Sequence, residues 1–125
     1  MTHEEIAKIC HEVNRACCQA FDDNSQVPWK DAPQWQRDAA LAGVVEVLQD
    51  PDLTPTKLHQ AWMTKKLVDG WRHGEVKDPA KKEHPDLRLF SQLPPEKRVK
   101  DHLFLAVVRA LAPYCSQPIP EENYP

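Results

Sequence analysis

The segment from Trp71 to Leu93 interrupts a sequence that is otherwise patterned for α-helices. It contains turn-forming residues at Gly74, Asp78-Pro79 and His84-Pro85. A loop of about twenty residues inside a small domain is uncommon, and it is usually functional when it is ordered. The segment therefore favours a fold in which helices flank one long, ordered loop.

Helical periodicity is clear before this segment. Thr2 and Glu5 have the spacing of a capping box, and the apolar residues that follow predict a first helix over about 3–21. A second stripe of apolar residues predicts a helix over about 33–49, with Asp31 or Ala32 as its cap. Turn-forming residues separate the two predicted helices.

The third and fourth helices lie on either side of the loop. Thr54 followed by Pro55 predicts the start of helix three, and Gly70 predicts a left-handed residue just after its end at Asp69. Pro94-Pro95-Glu96 opens helix four, over about 95–112. The predicted fold class is mainly α, about four helices, with short β pieces around 71–77 and 87–90 in the loop between helices three and four.

Length and composition set the domain organisation. At 125 residues with 41% apolar side chains, the chain predicts a single globular domain over about 1–115. The segment "SQPIPEENYP" (116–125) is rich in proline and predicts a flexible tail. No apolar run reaches about 18 residues, and the first residues lack a signal-peptide pattern. We therefore expect a soluble, cytoplasmic protein without a membrane partner.

Cysteine spacing favours reduced thiols. Cys10 and Cys17 are seven residues apart on a helical pattern, so we expect both on the buried face, with Cys18 beside it. No CxxC pair is present, which argues against structural zinc.

Charge is distributed unevenly along the chain. The net charge is −3 overall, but residues 51–120 carry 12 basic and 8 acidic side chains. This balance favours an anionic partner for that half. It is too weak for a dedicated or specific nucleic-acid binder.

Motifs of covalent, metal and phosphate-loop chemistry are missing from the sequence. There is no GxSxG, no HExxH and no GxGxxG or GK[ST] phosphate loop. We therefore predict no catalytic residues, no metal ligands and no cofactor, and expect a protein that is not an enzyme. A hydrolase acting on nucleotides is the remote alternative.

Aromatic and cationic residues on helix three and in the loop are the candidate site. His59 and Trp62 are three apart and share a helical face. The chain reversal at Gly70 can bring Trp71, His84 and the loop lysines beside Trp62. A flat aromatic wall flanked by cations suits a ligand with a planar base and phosphates. The alternative is that the tryptophans only fill the core or hold the loop down, while the lysines are solvated.

The residues 58–111, "LHQAWMTKKLVDGWRHGEVKDPAKKEHPDLRLFSQLPPEKRVKDHLFLAVVRAL", resemble the ryanodine receptor repeat, or RyR domain. The matching pattern is His59-x-x-Trp62, Gly70-Trp71-x-x-Gly74, Lys77-Asp78, His84-Pro85-x-Leu87, Leu93-Pro94 and Lys100-Asp101. Two positions depart from the family pattern. His73 stands where an aromatic is usual, and Arg88-Leu89-Phe90 replaces a "VPY"-like stretch. The amino-terminal half is similar to that of stand-alone bacterial and phage members.

The resemblance implies a helical module with short strands in the loop. Prokaryotic members of this family are thought to recognise nucleotide-like ligands, which implies a binding or sensor role here. By position, it implies a ligand wall formed by Trp62, with His59, His84 and Asp101 facing the same cleft. Taken with the reading of the residues, the predicted ligand-binding set is Trp62, His59, Trp71, His84, Asp101, Lys77 and Asp78.

Two other partners stay open at this point. One is a protein partner, with the module acting as an adaptor, for example as a phage factor that acts on a host protein. The other is a second copy of the chain, in a homodimer that completes the cleft.

Overall fold

The computed structural model describes residues 1–121 and confirms the mainly α fold class. Two short strands lie in the loop between helices three and four, as predicted in kind. The helices are α1 (His3–Ala20), α2 (Gln34–Gln49), α3 (Pro55–Val68) and α4 (Pro95–Leu111), and the strands are β1 (Arg72–His73) and β2 (Glu83–His84). Short 3-10 helices cover Trp29–Asp31, Phe90–Gln92 and Ala112–Tyr114. None of the helices within residues 1–121 combines the length and apolarity needed to cross a bilayer.

Two compact units make up the chain. The terminal unit comprises Met1–Leu53 with His102–Pro125, and the loop unit comprises Thr54–Asp101. The prediction of one domain over 1–115 stays a prediction.

The predicted flexible tail begins with residues that are tied to the amino terminus. The backbone N–H of Ser116 donates to the carbonyl of Met1 at 2.9 Å. The N–H of His3 donates to Oε1 of Gln117, also at 2.9 Å. The flexibility of the tail stays a prediction, and its residues 122–125 lie outside the described residues.

In the terminal unit, α1 begins at the predicted capping box. The N–H of Glu5 donates to Oγ1 of Thr2, and the N–H of Thr2 donates to Oε1 of Glu5, each at 3.1 Å. The prediction for the cysteines is correct for Cys10, which is buried, and wrong for Cys17, because Cys18 is the second buried thiol. All four thiols are free.

Three valines and one leucine from α2 and α4 belong to the core of this unit. Val44, Val47, Leu105 and Val108 are all buried. The predicted cap of α2 by Asp31 or Ala32 is wrong. The N-cap is Pro33, and no side chain within residues 1–121 caps this helix, because Asp31 belongs to the preceding 3-10 helix.

In the loop unit, both ends of α3 follow the prediction. Oγ1 of Thr54 accepts from the N–H of Lys57 at 3.2 Å, and Pro55 occupies the first turn. Gly70 has a φ of +89°, the left-handed conformation that glycine adopts at low cost. The N–H of Trp71 then donates to the carbonyl of Lys66 at 3.0 Å, so the chain turns back along the end of α3.

The loop is organised by the parallel pairing of β1 with β2, in which Arg72 is opposite Glu83 and His73 is opposite His84. The predicted strand around 87–90 is misplaced, because Arg88 donates its N–H to the carbonyl of Asp86 in a turn and Phe90 begins a 3-10 helix. Gly74 lies so close to β2 that an added Cβ would be 2.6 Å from Cβ of Glu83. This close approach explains the glycine.

Candidate functional site

His59 and Trp62 form the first half of an aromatic cluster on α3. Their rings stack, with centroids 5.5 Å apart and planes 29° apart. His59 is only 4% exposed, and its Nε2 is 2.7 Å from the carbonyl oxygen of Arg88, to which it donates. Phe90 packs against the same imidazole at 5.9 Å. His59 thus packs against one face of the Trp62 ring. Its predicted contact with a ligand stays a prediction.

His84 on β2 joins the two indoles. Its ring centroid is 5.1 Å from that of Trp62, with an interplanar angle of 76°, and 6.3 Å from that of Trp71, with an angle of 57°. Both tryptophans are partly buried. We call His59, Trp62, Trp71 and His84 the aromatic cluster. The structure therefore brings together four of the seven predicted site residues.

The hydrogen bonding of His84 fixes its tautomer. The backbone N–H of Asp86 donates to Nδ1 of His84 at 3.0 Å. A ring nitrogen that accepts a hydrogen bond carries no proton, so the neutral imidazole has its proton on Nε2. No acceptor in residues 1–121 takes a hydrogen bond from this Nε2. His84 therefore presents an N–H donor that the described protein does not use.

Burial and nearby cations keep His84 neutral. Its pKa is lowered from 6.5 to about 4, mainly by burial; Asp86 acts to raise it, and Lys77, Lys97 and Lys66 act to lower it. The imidazole is therefore uncharged at neutral pH.

Lysines surround this neutral donor. Nζ of Lys66 lies 4.4 Å from the ring centroid of Trp71, a cation–π contact. Burial lowers the pKa of Lys66, as does the neighbouring Lys77, while Asp69 raises it. Nζ of Lys97 is 3.5 Å from Oδ2 of Asp86. The anion-attracting side chains thus gather at the residue that offers the hydrogen bond.

The other three predicted site residues, Lys77, Asp78 and Asp101, are not part of the aromatic cluster. Lys77 is exposed and acts on both His84 and Lys66 through its charge. Oδ1 of Asp78 accepts from the N–H groups of Ala80 and Lys81 at 3.1 and 3.3 Å, so this carboxylate shapes the turn between the strands. Asp101 is partly buried at the carboxyl end of the loop unit. Their roles toward a ligand stay predictions.

Three residues near the cluster were missed by the sequence-based prediction, namely Lys66, Asp86 and Lys97. Lys66 follows Trp62 by four residues, so helical spacing alone could have placed both on one face of α3. Asp86 acts mainly through its backbone N–H, for which the sequence carries no direct signal. Lys97 is in the first turn of α4 and could have been found only through its partner.

The loop unit carries the positive charge of the chain. It has 11 basic and 7 acidic side chains, a net charge of +4, whereas the terminal unit has 5 and 12, a net charge of −7. The predicted charge asymmetry therefore follows the division into compact units. No group of three or more His, Cys, Asp or Glu side chains in residues 1–121 is arranged to hold a metal ion.

These features define a small helical module whose long inter-helix loop carries a basic, aromatic cluster. A family model described as the RyR domain matches residues 43–112, more than half of the chain. The chain belongs to the RyR domain family. The match begins inside α2, so it extends upstream of the region 58–111 in which the sequence pattern was recognised.

Proposed function

We propose that this RyR domain binds a nucleotide-like anionic ligand at the aromatic cluster, as a binding or sensor module. The observation that carries the proposal is His84. Its neutral imidazole contacts two indoles, keeps an unused N–H donor and has three lysines acting on it. A cytoplasmic location is part of this proposal.

The chemistry of the cluster fits the two halves of a nucleotide. A base that stacks on an indole gains about 1–3 kcal/mol, and the cluster contains two partly buried tryptophans, Trp62 and Trp71. Lysine ammonium groups attract phosphate and form charge-assisted hydrogen bonds with it. A cluster with both features in one compact unit supports a ligand that has both.

The tautomer of His84 supports binding rather than catalysis. A general base needs an unprotonated nitrogen within reach of the substrate. In His84 that nitrogen, Nδ1, already accepts from the N–H of Asp86. The proposal is therefore a module that is not an enzyme.

Fluorescence and thermal shift measurements with ATP, ADP-ribose and cyclic nucleotides test the proposal. A Kd of about 10 µM at a ligand concentration of about 1 mM would stabilise the fold by roughly 2.7 kcal/mol. We expect Trp62→Phe or Trp71→Phe to weaken the response. Trp35→Phe is the matched control, because Trp35 is 62% exposed and belongs to the terminal unit.

The proposal is wrong if no member of this panel changes the emission or the Tm of the wild-type protein. Far-UV circular dichroism separates loss of binding from loss of fold. This control is needed because Trp62 packs against His59 and His84.

An adaptor that binds another protein is the second candidate. It is favoured by large apolar side chains on the surface of the loop unit, since Val68 is 84% exposed and Val76 is 75% exposed. A contiguous exposed apolar patch often marks a protein–protein interface, and the adaptor function requires Val68 and Val76 to be part of one. This function gains if nucleotides have no effect while Val68→Ser with Val76→Ser abolishes a defined complex. Light scattering after size exclusion measures the molar mass in solution and so tests the homodimer.

A further inference from the structure

We propose that the site selects its ligand by a phosphate group, and that His84 is the residue that recognises this phosphate. In this arrangement Nε2–H of His84 donates to a phosphate oxygen, and the ammonium groups of Lys66, Lys77 and Lys97 supply the opposite charge. This inference rests on the proposed function and deepens it, because it assigns the specificity to the phosphate rather than to the base.

The orientation of the His84 ring determines which kind of group can form a hydrogen bond with it. Nδ1 of His84 is held by the N–H of Asp86 at 3.0 Å, and the ring is packed against Trp62 and Trp71. Both constraints keep the imidazole in one orientation, with Nε2–H as its remaining donor. A fixed donor accepts ligands that present a hydrogen-bond acceptor and rejects those that present another donor. The recognised group is therefore an acceptor.

The lysines near His84 indicate that this acceptor is negatively charged. Lys66 lies near His84 because both contact Trp71. The ammonium group of Lys66 is 4.4 Å from the centroid of the Trp71 ring, and that ring contacts the imidazole of His84. Lys97 reaches it through Asp86, whose carboxylate is 3.5 Å from Nζ and whose N–H binds Nδ1 of His84. A base carbonyl would use the donor but not the cations, whereas a phosphate oxygen uses both. The geometry therefore favours phosphate.

His84 itself is neutral in this arrangement. A protonated imidazole at this position would repel the neighbouring lysines and lose the bond from Asp86, because Nδ1 would then carry a proton. A neutral imidazole can donate from Nε2 and leave the lysines undisturbed. The site thus combines a neutral donor with separate cations.

Calorimetric titration with adenosine, AMP, ADP and ATP at constant ionic strength tests the inference. We expect ADP to bind at least about 10-fold more tightly than adenosine, since a hydrogen bond to a charged group contributes more than one between neutral groups. We also expect the affinity for ADP to fall as salt is raised, because screening weakens the lysine contacts.

Two variants of His84 separate recognition from a structural role. In His84→Asn, the side-chain oxygen can accept from the N–H two residues on, as in an Asx-turn, so the turn is kept while the distal donor is lost. In His84→Gln, an amide N–H can reach the place of Nε2, but the turn contact is lost. We expect His84→Asn to weaken ADP binding by about 10-fold or more and His84→Gln to recover part of that loss. A purely structural role predicts the reverse order and would overturn the inference.

A pair of lysine variants tests the charge. Lys77→Gln removes a cation that acts on His84, and Lys57→Gln removes an exposed cation of the same unit that has no such effect on it. We expect Lys77→Gln to weaken ADP binding by about 3-fold or more, and Lys57→Gln to leave it unchanged.

The outcomes distinguish the two proposals. Equal affinity for adenosine and ADP would overturn the phosphate assignment while leaving nucleotide binding in place. Absence of binding by all four compounds would overturn the phosphate assignment, and nucleotide binding is overturned as well if ADP-ribose and cyclic nucleotides also leave the emission and the Tm unchanged.

Discussion

Acidification tests the description of His84 without any ligand. The perturbation is a change from about pH 7 to about pH 5 in the wild type and in His84→Asn. Burial lowers the folded-state pKa of His84 to about 4, whereas an unperturbed histidine titrates near 6.5. Between these two values the unfolded chain binds a proton at this position and the folded chain does not. The free energy of unfolding must therefore fall as the pH is lowered through this window.

The magnitude follows from the two pKa values. Complete linkage between pH 7 and pH 5 would destabilise the fold by about 1.9 kcal/mol. The ring is partly open to solvent, so screening reduces the expected effect to about 1 kcal/mol. In His84→Asn the titrating ring is gone, while the other histidines and the carboxylates remain. The wild type should then lose about 1 kcal/mol more than the variant over the same pH interval.

Urea titrations at about pH 7, 6 and 5, followed by tryptophan emission and by far-UV circular dichroism, measure this difference. Agreement of the two probes shows that one transition is being followed. If wild type and His84→Asn lose stability in parallel on acidification, the imidazole is not kept neutral in the fold, and Nδ1 of His84 is not held as the unprotonated nitrogen.

Three further predictions concern the scaffold. Thr2→Ala removes the oxygen that accepts from the N–H of Glu5, and we expect a loss of about 1 kcal/mol in the free energy of unfolding, measured by urea denaturation. Gly74→Ala places a Cβ 2.6 Å from Cβ of Glu83, and we expect a loss of about 1–3 kcal/mol, measured in the same way. Burial raises the pKa of Cys10 to about 12, so we expect iodoacetamide to alkylate it at least about 10-fold more slowly than the partly exposed Cys115, as read by peptide mass spectrometry.

Each of these predictions has a control or an outcome that would contradict it. Thr56→Ala changes an exposed threonine inside α3 and should leave stability nearly unchanged. If Thr2→Ala and Thr56→Ala lose the same stability, the N-cap hydrogen bond of Thr2 does not stabilise α1. For Gly74, an unaltered midpoint would mean that Glu83 yields without cost. For Cys10, equal reaction rates in the folded state would contradict its burial, whereas equal rates in urea are expected.

The helices could be predicted from the sequence because their signals are local. Thr2 with Glu5, and Thr54 with Pro55, specify helix starts within a few residues, and the structure has both. The prediction of the second strand was wrong because a contact between residues distant in the sequence determines where that strand lies. The strand lies at Glu83–His84 rather than at 87–90 because it pairs with residues eleven positions earlier, Arg72 with Glu83. No local pattern encodes that register.

The candidate site divides in the same way. The proximity of Trp62, Trp71 and His84 could be inferred, because Gly70 reverses the chain at the end of α3. The hydrogen bond between the N–H of Asp86 and Nδ1 of His84 could not, since it depends on the backbone path through the turn. The sequence therefore predicts which rings meet but not which nitrogen carries the proton.

This hydrogen bond explains why a histidine suits position 84. A lysine there would add another cation to a site where Lys66, Lys77 and Lys97 already act, and mutual repulsion would oppose the fold. An asparagine could hold the turn but is too short to contact both indoles and donate outward. A neutral imidazole uses one nitrogen to accept from the backbone and the other to donate, and its faces and edges pack against aromatic rings. If the proposed ligand binds at His84, one side chain contacts both the ligand and the backbone of the turn, so the ligand should also stabilise the turn at Asp86.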